Sequence, residues 1–274
     1  MKKILLVLSV FGLFALAACS SLAPYDLETE TELIVGMEAA YAPFNWMETE
    51  ATEYNYPLAG SNNYVAGYDV EVAKAIASAL GKTLVIKAID WDGLIVALKA
   101  GEIDLIIAGM SPTEERKKQI SFTEEYYRSE IVMVVSANGN YANATSLADF
   151  NGARVVAQQG TIYDDLIASQ ITGAIHNQPL GNYGELTLSV TSGVADAFIA
   201  EYPVAQSIVT TEGRLKIIEL ENGGFDMEEA DVVVSIGARK QDTDLVEAIN
   251  EVLSKISQDT RNEWMLTAVT NSNN

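Results

Sequence analysis

Apolar runs alternate with segments of helical periodicity from about residue 32 to the end of this 274-residue chain. Residues 103–108 are almost uninterruptedly apolar, which is typical of a strand covered on both faces in a parallel sheet. Between Asp69 and Leu80 apolar residues recur every three or four positions, which predicts an amphipathic helix that ends at Gly81. Such alternation predicts an α/β architecture.

The same criteria predict the order of elements along the whole chain. Strands are expected at 32–37, 84–89, 103–108, 130–136, 153–157, 194–200, 215–220 and 230–237. Helices are expected at 69–80, 91–100, 112–118, 146–149, after Thr161, at 184–192, 203–211 and 246–256. Residues 48–66 show no periodicity and are interpreted as a polar connection.

The first residues have the form of a processing signal. Two lysines precede an apolar run at 4–16, and small residues then lead to Cys19, which predicts a lipoprotein signal cleaved before that cysteine, with a lipid on its sulfur. The run is shorter than the roughly 20 residues of a membrane-spanning helix, so a signal is favoured over a permanent anchor. Residues 1–18 are assigned to the signal peptide and 19–31 to a flexible tether, which places the mature protein on the outer face of the cytoplasmic membrane.

Composition narrows the classes of function. Cys19 is the only cysteine, which excludes an intramolecular disulfide and an internal cysteine nucleophile. The net charge is −21, or −23 once the signal with its two lysines is removed, and this argues against nucleic acid as a partner. His176 is the only histidine and the acidic clusters lack calcium-loop spacing, so no metal or cofactor is expected.

The segment that follows the apolar run at 103–108 predicts an anion-binding site. Gly109 lets the backbone approach a ligand closely. Ser111, Pro112 and Glu114 have the spacing of the N-cap, N1 and N3 positions of a helix that carries Arg116 in its first turns. Free amides and a guanidinium could converge there on a small carboxylate. Alternatively, Ser111 only caps the helix and Arg116 pairs with a neighbouring glutamate.

Five segments in order and in spacing resemble the polar amino-acid-binding proteins of ABC importers, the solute-binding proteins of family 3. They are YAPF at 41–44, GYDVEVAKAI at 67–76, DWDGLI at 90–95, AGMSPTEERK at 108–117 and FTEEYY at 122–127. The resemblance runs from about Glu32 to the C-terminus. It implies a periplasmic-binding-protein-like fold of two α/β lobes joined by two hinge crossings, near 135–137 and 232–235. Lobe one would hold 32–135 and 233–274, and lobe two 136–232.

The resemblance also implies roles for residues that match the family pattern. Gly109 and Ser111 match positions that receive the α-amino and α-carboxylate groups, and Arg116 matches the arginine that pairs with the carboxylate. Thr161 matches the threonine of lobe two whose amide completes this site. Glu201 stands where the family usually has an aspartate for the ligand ammonium, and its additional methylene shifts the carboxylate by a bond length.

Three further residues are implied at the side-chain end of the ligand. Tyr41 and Trp91 match an aromatic pair that sandwiches the side chain, although both could instead be core aromatics. Glu38 matches an acidic position that accepts a distal cation in binders of basic amino acids. This favours lysine or arginine, with a neutral polar ligand such as glutamine next. Glu38 could equally face solvent or pair with a lysine.

The expected function is therefore capture of an L-amino acid outside the cytoplasm by a monomeric, lipid-anchored receptor that passes it to an ABC permease without chemistry or cofactor. A rival from another class is a cyclohexadienyl or arogenate dehydratase-like enzyme on the same scaffold, with Glu201 as general acid. A sensory role, which needs a separate signalling partner, is the second rival.

Overall fold

The computed structural model describes residues 22–220 and 224–272, and these form two α/β lobes. The predicted signal and Cys19 lie outside the described residues. Within the described ranges, helices that are both long and apolar enough to cross a bilayer are absent.

The sheet of lobe one is mixed. Its strands are β1 (Glu32–Met37), β6 (Thr83–Ala88), β7 (Leu105–Ile106), β8 (Ser121–Arg128) and β14 (Val233–Ala238). They lie in the order β6-β1-β7-β14-β8, with β1 parallel to β6 and β7 and with β14 antiparallel to β7 and β8. A small antiparallel sheet belongs to the same part of the chain and contains β2 (Ala40–Tyr41), β3 (Asn45–Glu48), β4 (Asn55–Pro57) and β5 (Tyr64–Ala66).

The sheet of lobe two repeats this plan. Its strands are β9 (Ile131–Ser136), β10 (Arg154–Val156), β11 (Ile175–His176), β12 (Ala197–Glu201) and β13 (Leu215–Ile218). They lie in the order β11-β10-β12-β9-β13, with β10 parallel to β11 and β12 and with β9 antiparallel to β12 and β13. Side chains alternate between the two faces of β12, so that Phe198 joins one apolar cluster and Ile199 the other.

Helices cover the faces of both sheets. Their bounds are α1 (Tyr68–Ala79), α2 (Leu94–Ala100), α3 (Glu114–Gln119), α4 (Ile162–Gln170), α5 (Tyr183–Thr191), α6 (Tyr202–Thr211), α7 (Thr243–Lys255) and α8 (Gln258–Asn271). Short 3-10 turns occupy Trp91–Gly93, Leu147–Phe150 and Glu229–Asp231. In α7 the apolar residues Leu245, Ile249 and Leu253 form one buried stripe, as the periodicity predicts.

Most predicted elements are confirmed within a few residues, but several features were missed, including the short strands β2, β3 and β11. Residues 48–66 do not form an irregular connection, because β4 and β5 pair there in strands too short to show a period. The strand β8 was not predicted, since its residues do not follow a clean alternation of apolar and polar positions. The final helix α8 also went unpredicted, because its apolar residues do not collect on one face.

The first crossing between lobes differs from the expected position at 135–137. Strand β9 pairs along its length with β12 and β13, so residues 131–136 belong to the second sheet. The chain therefore leaves lobe one after Arg128, through Ser129 and Glu130. It re-enters the first sheet at Val233. Motion of the lobes about these two segments remains a prediction.

The expected tether is wrong for residues 22–31, which pack against lobe one. Tyr25 is 7% exposed, its N–H donates to Asp242 Oδ1 at 3.0 Å, and its hydroxyl donates to the carbonyl of Glu32 at 2.6 Å. Lys82 donates to the carbonyl of Leu27 at 2.6 Å. The polar composition that suggested a free linker conceals one buried tyrosine, which together with the Lys82 contact packs the segment on lobe one.

Candidate functional site

A cavity lies between the two lobes. The structure brings all eight residues that the sequence analysis assigned to ligand binding to the wall of this cavity: Glu38, Tyr41, Trp91, Gly109, Ser111, Arg116, Thr161 and Glu201. Their contact with a ligand remains a prediction.

The helix that carries Arg116 begins later than expected. Thr113, not Ser111, is the N-cap, because its hydroxyl accepts the N–H of Arg116 at 3.2 Å, and α3 starts at Glu114. The hydroxyl of Ser111 instead donates to the carbonyl of Asp231 at 3.3 Å. The capping-box assignment at Ser111 is therefore wrong.

The guanidinium of Arg116 is held from both lobes. It donates through Nη1 to the carbonyl of Ser111 at 2.9 Å and through Nη2 to the carbonyl of Gly160 at 3.3 Å. Trp91 lies 5.1 Å from the guanidinium carbon and donates its indole N–H to the same Gly160 carbonyl at 3.1 Å. Burial lowers the pKa of Arg116, yet an arginine remains a cation at neutral pH. These contacts use two of its five donors, and the others can serve a bound carboxylate.

Gly109 is placed beneath the cavity by a buried polar network. Its φ is +63°, and a Cβ atom there would lie 2.8 Å from the ring of Tyr41, so both conformation and space favour glycine. The N–H of Gly109 donates to the hydroxyl of Tyr126 at 3.0 Å, and this hydroxyl donates to Asp69 Oδ1 at 2.7 Å. Asn45 donates to the other carboxylate oxygen of Asp69 at 2.7 Å. Because its N–H is used, Gly109 can offer a ligand only its carbonyl.

Glu201 ends β12 at the floor of the cavity and is 4% exposed. The hydroxyl groups of Tyr41 and Tyr163 both donate to its carboxylate, and burial raises the pKa of Glu201. A carboxylate has about four acceptor positions, so an ammonium group can still bind beside the two hydroxyl donors. Tyr41 comes from lobe one, and its bond to Glu201 crosses the cleft.

The ring of Tyr41 is enclosed by other aromatic residues. It stacks on Phe44 with centroids 5.3 Å apart and meets Tyr183 of lobe two at 5.1 Å. Tyr41 is 5% exposed, whereas Trp91 is partly exposed and packs on Arg116. Both residues line the cavity, and Trp91 packs partly on the apolar core and partly on Arg116, the predicted partner of the ligand carboxylate. The predicted sandwich of a ligand side chain remains untested.

Thr161 stands at the N-cap position of α4, but its hydroxyl does not cap that helix. It donates instead to the carbonyl of Gln158 at 2.8 Å. Gly160, with φ of +71°, makes the tight turn before it, and a Cβ atom at Gly160 would lie 2.5 Å from a carboxylate oxygen of Asp92. The N-terminus of α4 therefore lies beside the cavity, where its positive dipole end favours a bound anion.

Glu38 is half-buried directly after β1, and its carboxylate bonds to a glutamine rather than to a lysine. Its Oε1 accepts from Nε2 of Gln158 at 3.0 Å, and the same Nε2 atom donates to the carbonyl of Gly181 at 3.0 Å. Burial, together with the charges of Asp90 and Asp92, raises the pKa of Glu38 from 4.5 to about 7. The carboxylate is thus a strong acceptor in surroundings that do not compensate its charge.

Four residues of the cavity wall were not predicted from the sequence, and all come from lobe two: Gln158, Ile162, Tyr163 and Tyr183. Gln158 follows a predicted strand, and α/β proteins commonly bind ligands at the carboxyl ends of strands. Its position could therefore have indicated a ligand-binding role. Tyr183 begins α5, and its approach to Tyr41 depends on how the lobes meet. The contact between Tyr183 and Tyr41 therefore could not be predicted from the residues around either tyrosine.

The lobes are in contact around the cavity. Besides the bonds of Tyr41, Trp91 and Arg116, the exposed Gln159 donates to Asp92 Oδ2 at 2.7 Å outside the cavity wall.

Comparison with known proteins defines the class to which this fold and site belong. Residues 33–266 match the family model described as bacterial extracellular solute-binding proteins, family 3. Because that match spans most of the chain, the protein belongs to this family of extracellular solute-binding proteins. The resemblance inferred from the five sequence segments is confirmed.

Individual relatives support the same assignment. The chain is 29% identical over 259 residues to the arginine-binding extracellular protein ArtP of Bacillus subtilis, covering 93% of each chain. Among solved structures, the amino acid ABC transporter substrate-binding protein AbpA of Streptococcus pneumoniae, bound to L-arginine, has a TM-score of 0.76 at 27% identity, over 89% of this chain and 97% of that one. An ancestral arginine-binding protein bound to glutamine has a TM-score of 0.72 at 29% identity, over 87% and 97%. The two-lobe α/β fold is confirmed by these structures.

Proposed function

We propose that this protein captures L-arginine or another cationic L-amino acid outside the cytoplasm and delivers it to an ABC importer. Its membership of the extracellular solute-binding family supports the transport role, and its similarity to arginine-binding proteins supports the ligand class.

The charge pattern of the cavity is the observation that carries the ligand class. Arg116 is the cation among the described wall residues, and Glu38 and Glu201 are the carboxylates. A cationic amino acid offers the opposite set, namely one carboxylate, one ammonium and one distal cation. The three charges can therefore pair when the cavity closes, and unpaired buried charges would be costly.

Capture does not require chemistry on the ligand. Micromolar affinity needs about −8 kcal/mol net, which charge-assisted hydrogen bonds at both ends of the ligand can supply after the cost of closure. The dehydratase alternative depends on Glu201 as a free acid, but two tyrosine hydroxyls hold this residue as an acceptor. We infer a binding protein rather than an enzyme.

We further propose that the mature chain is monomeric and anchored by a lipid on Cys19. The packed segment 22–31 then begins three residues beyond the lipid, so lobe one would be held close to the membrane surface. Mass spectrometry of the membrane-extracted protein tests the anchor through a diacylglyceryl mass on the N-terminal cysteine, and an unmodified soluble chain would contradict it.

Isothermal titration of the purified mature protein with arginine, lysine and glutamine tests the ligand class. At pH 8, arginine or lysine is expected to bind at least about tenfold more tightly than glutamine, because only a cation compensates Glu38. Stronger binding of glutamine would contradict the cationic assignment. Turnover of prephenate or arogenate by the same preparation would favour the enzyme instead.

A further inference from the structure

Glu38 lies among described groups that do not offer it a free positive charge. It accepts a hydrogen bond from Gln158 of the loop before α4, and Tyr41 of β2 lines the same cavity. Titratable groups of the surrounding elements add negative charge or no charge: Asp90 and Asp92 of the turn before α2, and Tyr183 and Glu185 of α5. The cation nearest in the wall, Arg116, is committed to the carbonyls of Ser111 and Gly160.

A cationic ligand and a neutral ligand consequently leave Glu38 in different states. With arginine or lysine, the distal cation compensates the carboxylate. With a neutral side chain such as that of glutamine, the closed cavity would contain two carboxylates and the ligand carboxylate against one guanidinium and one ammonium. A buried uncompensated charge of this kind is normally neutralised by a proton.

We propose that the same cavity takes a second class of ligand, neutral polar L-amino acids, with a proton bound on Glu38 in place of the distal cation, so that pH sets the choice between the two classes. This inference rests on the proposed function, of which it specifies the selectivity. Gln158 is the positioning residue, because its Nε2 atom bridges Glu38 and the Gly181 carbonyl from the opposite lobe.

The direction of the pH effect follows from linkage. Glu38 has an ordinary pKa of 4.5, and enclosure raises this pKa to about 7 when no cation is present. Closure over a neutral ligand therefore takes up a proton between these two values and becomes stronger as the pH falls through that window. Closure over a cationic ligand keeps Glu38 ionised and takes up none. Above pH 7 both affinities are expected to be flat with respect to this residue.

Titration calorimetry in pairs of buffers with different ionisation enthalpies counts the protons. At pH 6, glutamine binding is expected to take up about one proton and arginine binding close to none. Between pH 8 and pH 5.5, the affinity for glutamine should rise at least about tenfold, while that for arginine changes by less than about twofold. The other buried carboxylate, Glu201, would meet an ammonium group from either ligand, so any change in its ionisation is common to both titrations.

Two variants locate the proton. Glu38→Gln should abolish the uptake with glutamine and remove its pH dependence, whereas Glu247→Gln on the exposed face of α7 should leave both unchanged. Gln158→Leu, which removes the bridging amide, should weaken both ligands and keep the proton uptake. Equal proton counts for the two ligands, or uptake that survives in Glu38→Gln, would overturn the inference even if arginine binds tightly. Failure of both amino acids to bind at any pH would instead overturn the proposed function.

Discussion

The two ends of the cavity are built differently. At the end proposed to receive the ligand head group, Arg116, Gly109 and Glu201 each bond to other groups of the protein. At the end proposed to receive the ligand side chain, Glu38 accepts one bond, from Gln158 across the cleft, and its charge is uncompensated. The first end suits the α-amino and α-carboxylate groups that all amino acids share. The second end suits only side chains that can compensate the charge of Glu38.

This contrast predicts that damage to the head-group end affects every ligand, while damage to the side-chain end affects only some. Substitutions at the two ends can therefore be ranked by size and sorted by whether their effect depends on the ligand.

Arg116→Ala should cause the largest loss. Removing one partner of a buried, hydrogen-bonded charge pair costs about 2–5 kcal/mol, so arginine, lysine and glutamine should all bind at least about 30-fold more weakly in calorimetry. Arg214→Ala is the control, because this arginine pairs with Glu212 on the surface at 2.7 Å. Near-normal affinity of the Arg116 variant would disprove the assigned carboxylate site.

Glu38→Gln should cause the next largest loss, and only for cations. At pH 8, arginine and lysine should bind about 10- to 100-fold more weakly, since their distal charge would be buried without a counter-ion. Glutamine should bind at least as well as before. Equal losses for all three ligands would mean that both ends of the cavity serve the same purpose, which contradicts the contrast.

Trp91→Ala tests to which end this aromatic residue belongs. The stacking of Trp91 on Arg116 and its bond to Gly160 predict a loss of about 0.5–2 kcal/mol that is similar for arginine and glutamine. Trp91→Phe retains the ring but not the N–H donor and should lose less. If arginine suffers much more than glutamine, Trp91 acts on the ligand side chain, as the sequence comparison first implied.

Gln159→Ala should have the smallest effect. Gln159 bonds to Asp92 across the cleft but lies outside the cavity wall, so it stabilises the closed state without contacting the ligand. An exposed bond of this kind is worth up to about 1 kcal/mol, which corresponds to a loss of about fivefold or less for every ligand. A double-mutant cycle with Asp92→Asn measures the coupling, and additive effects would show that this contact contributes nothing to closure.

Much of the architecture and most residues of the cavity wall could be predicted from the sequence alone. Strong helical periodicity, as in α7, and long apolar runs were sufficient to predict elements, and five motifs in register identified the family. Features that depend on pairing over distance were missed, among them the short strands β4 and β5 and the membership of β9 in the second sheet. The buried Tyr25 likewise fixes a segment that composition alone presented as a linker.

The hydrogen-bond partners of the site residues depend on the tertiary structure and could not be predicted from the sequence. The family resemblance implied roles for Glu38, Tyr41 and Trp91, but the bonds of these residues come from lobe two, through Gln158, Glu201 and Gly160. The start of α3 could not be predicted from neighbouring residues either. Thr113 caps the helix, and the hydroxyl of Ser111 bonds instead to the carbonyl of Asp231, 120 residues away. Periodicity and motifs report which residues face a cavity, whereas charge compensation depends on groups that meet only when two distant parts of the chain come together.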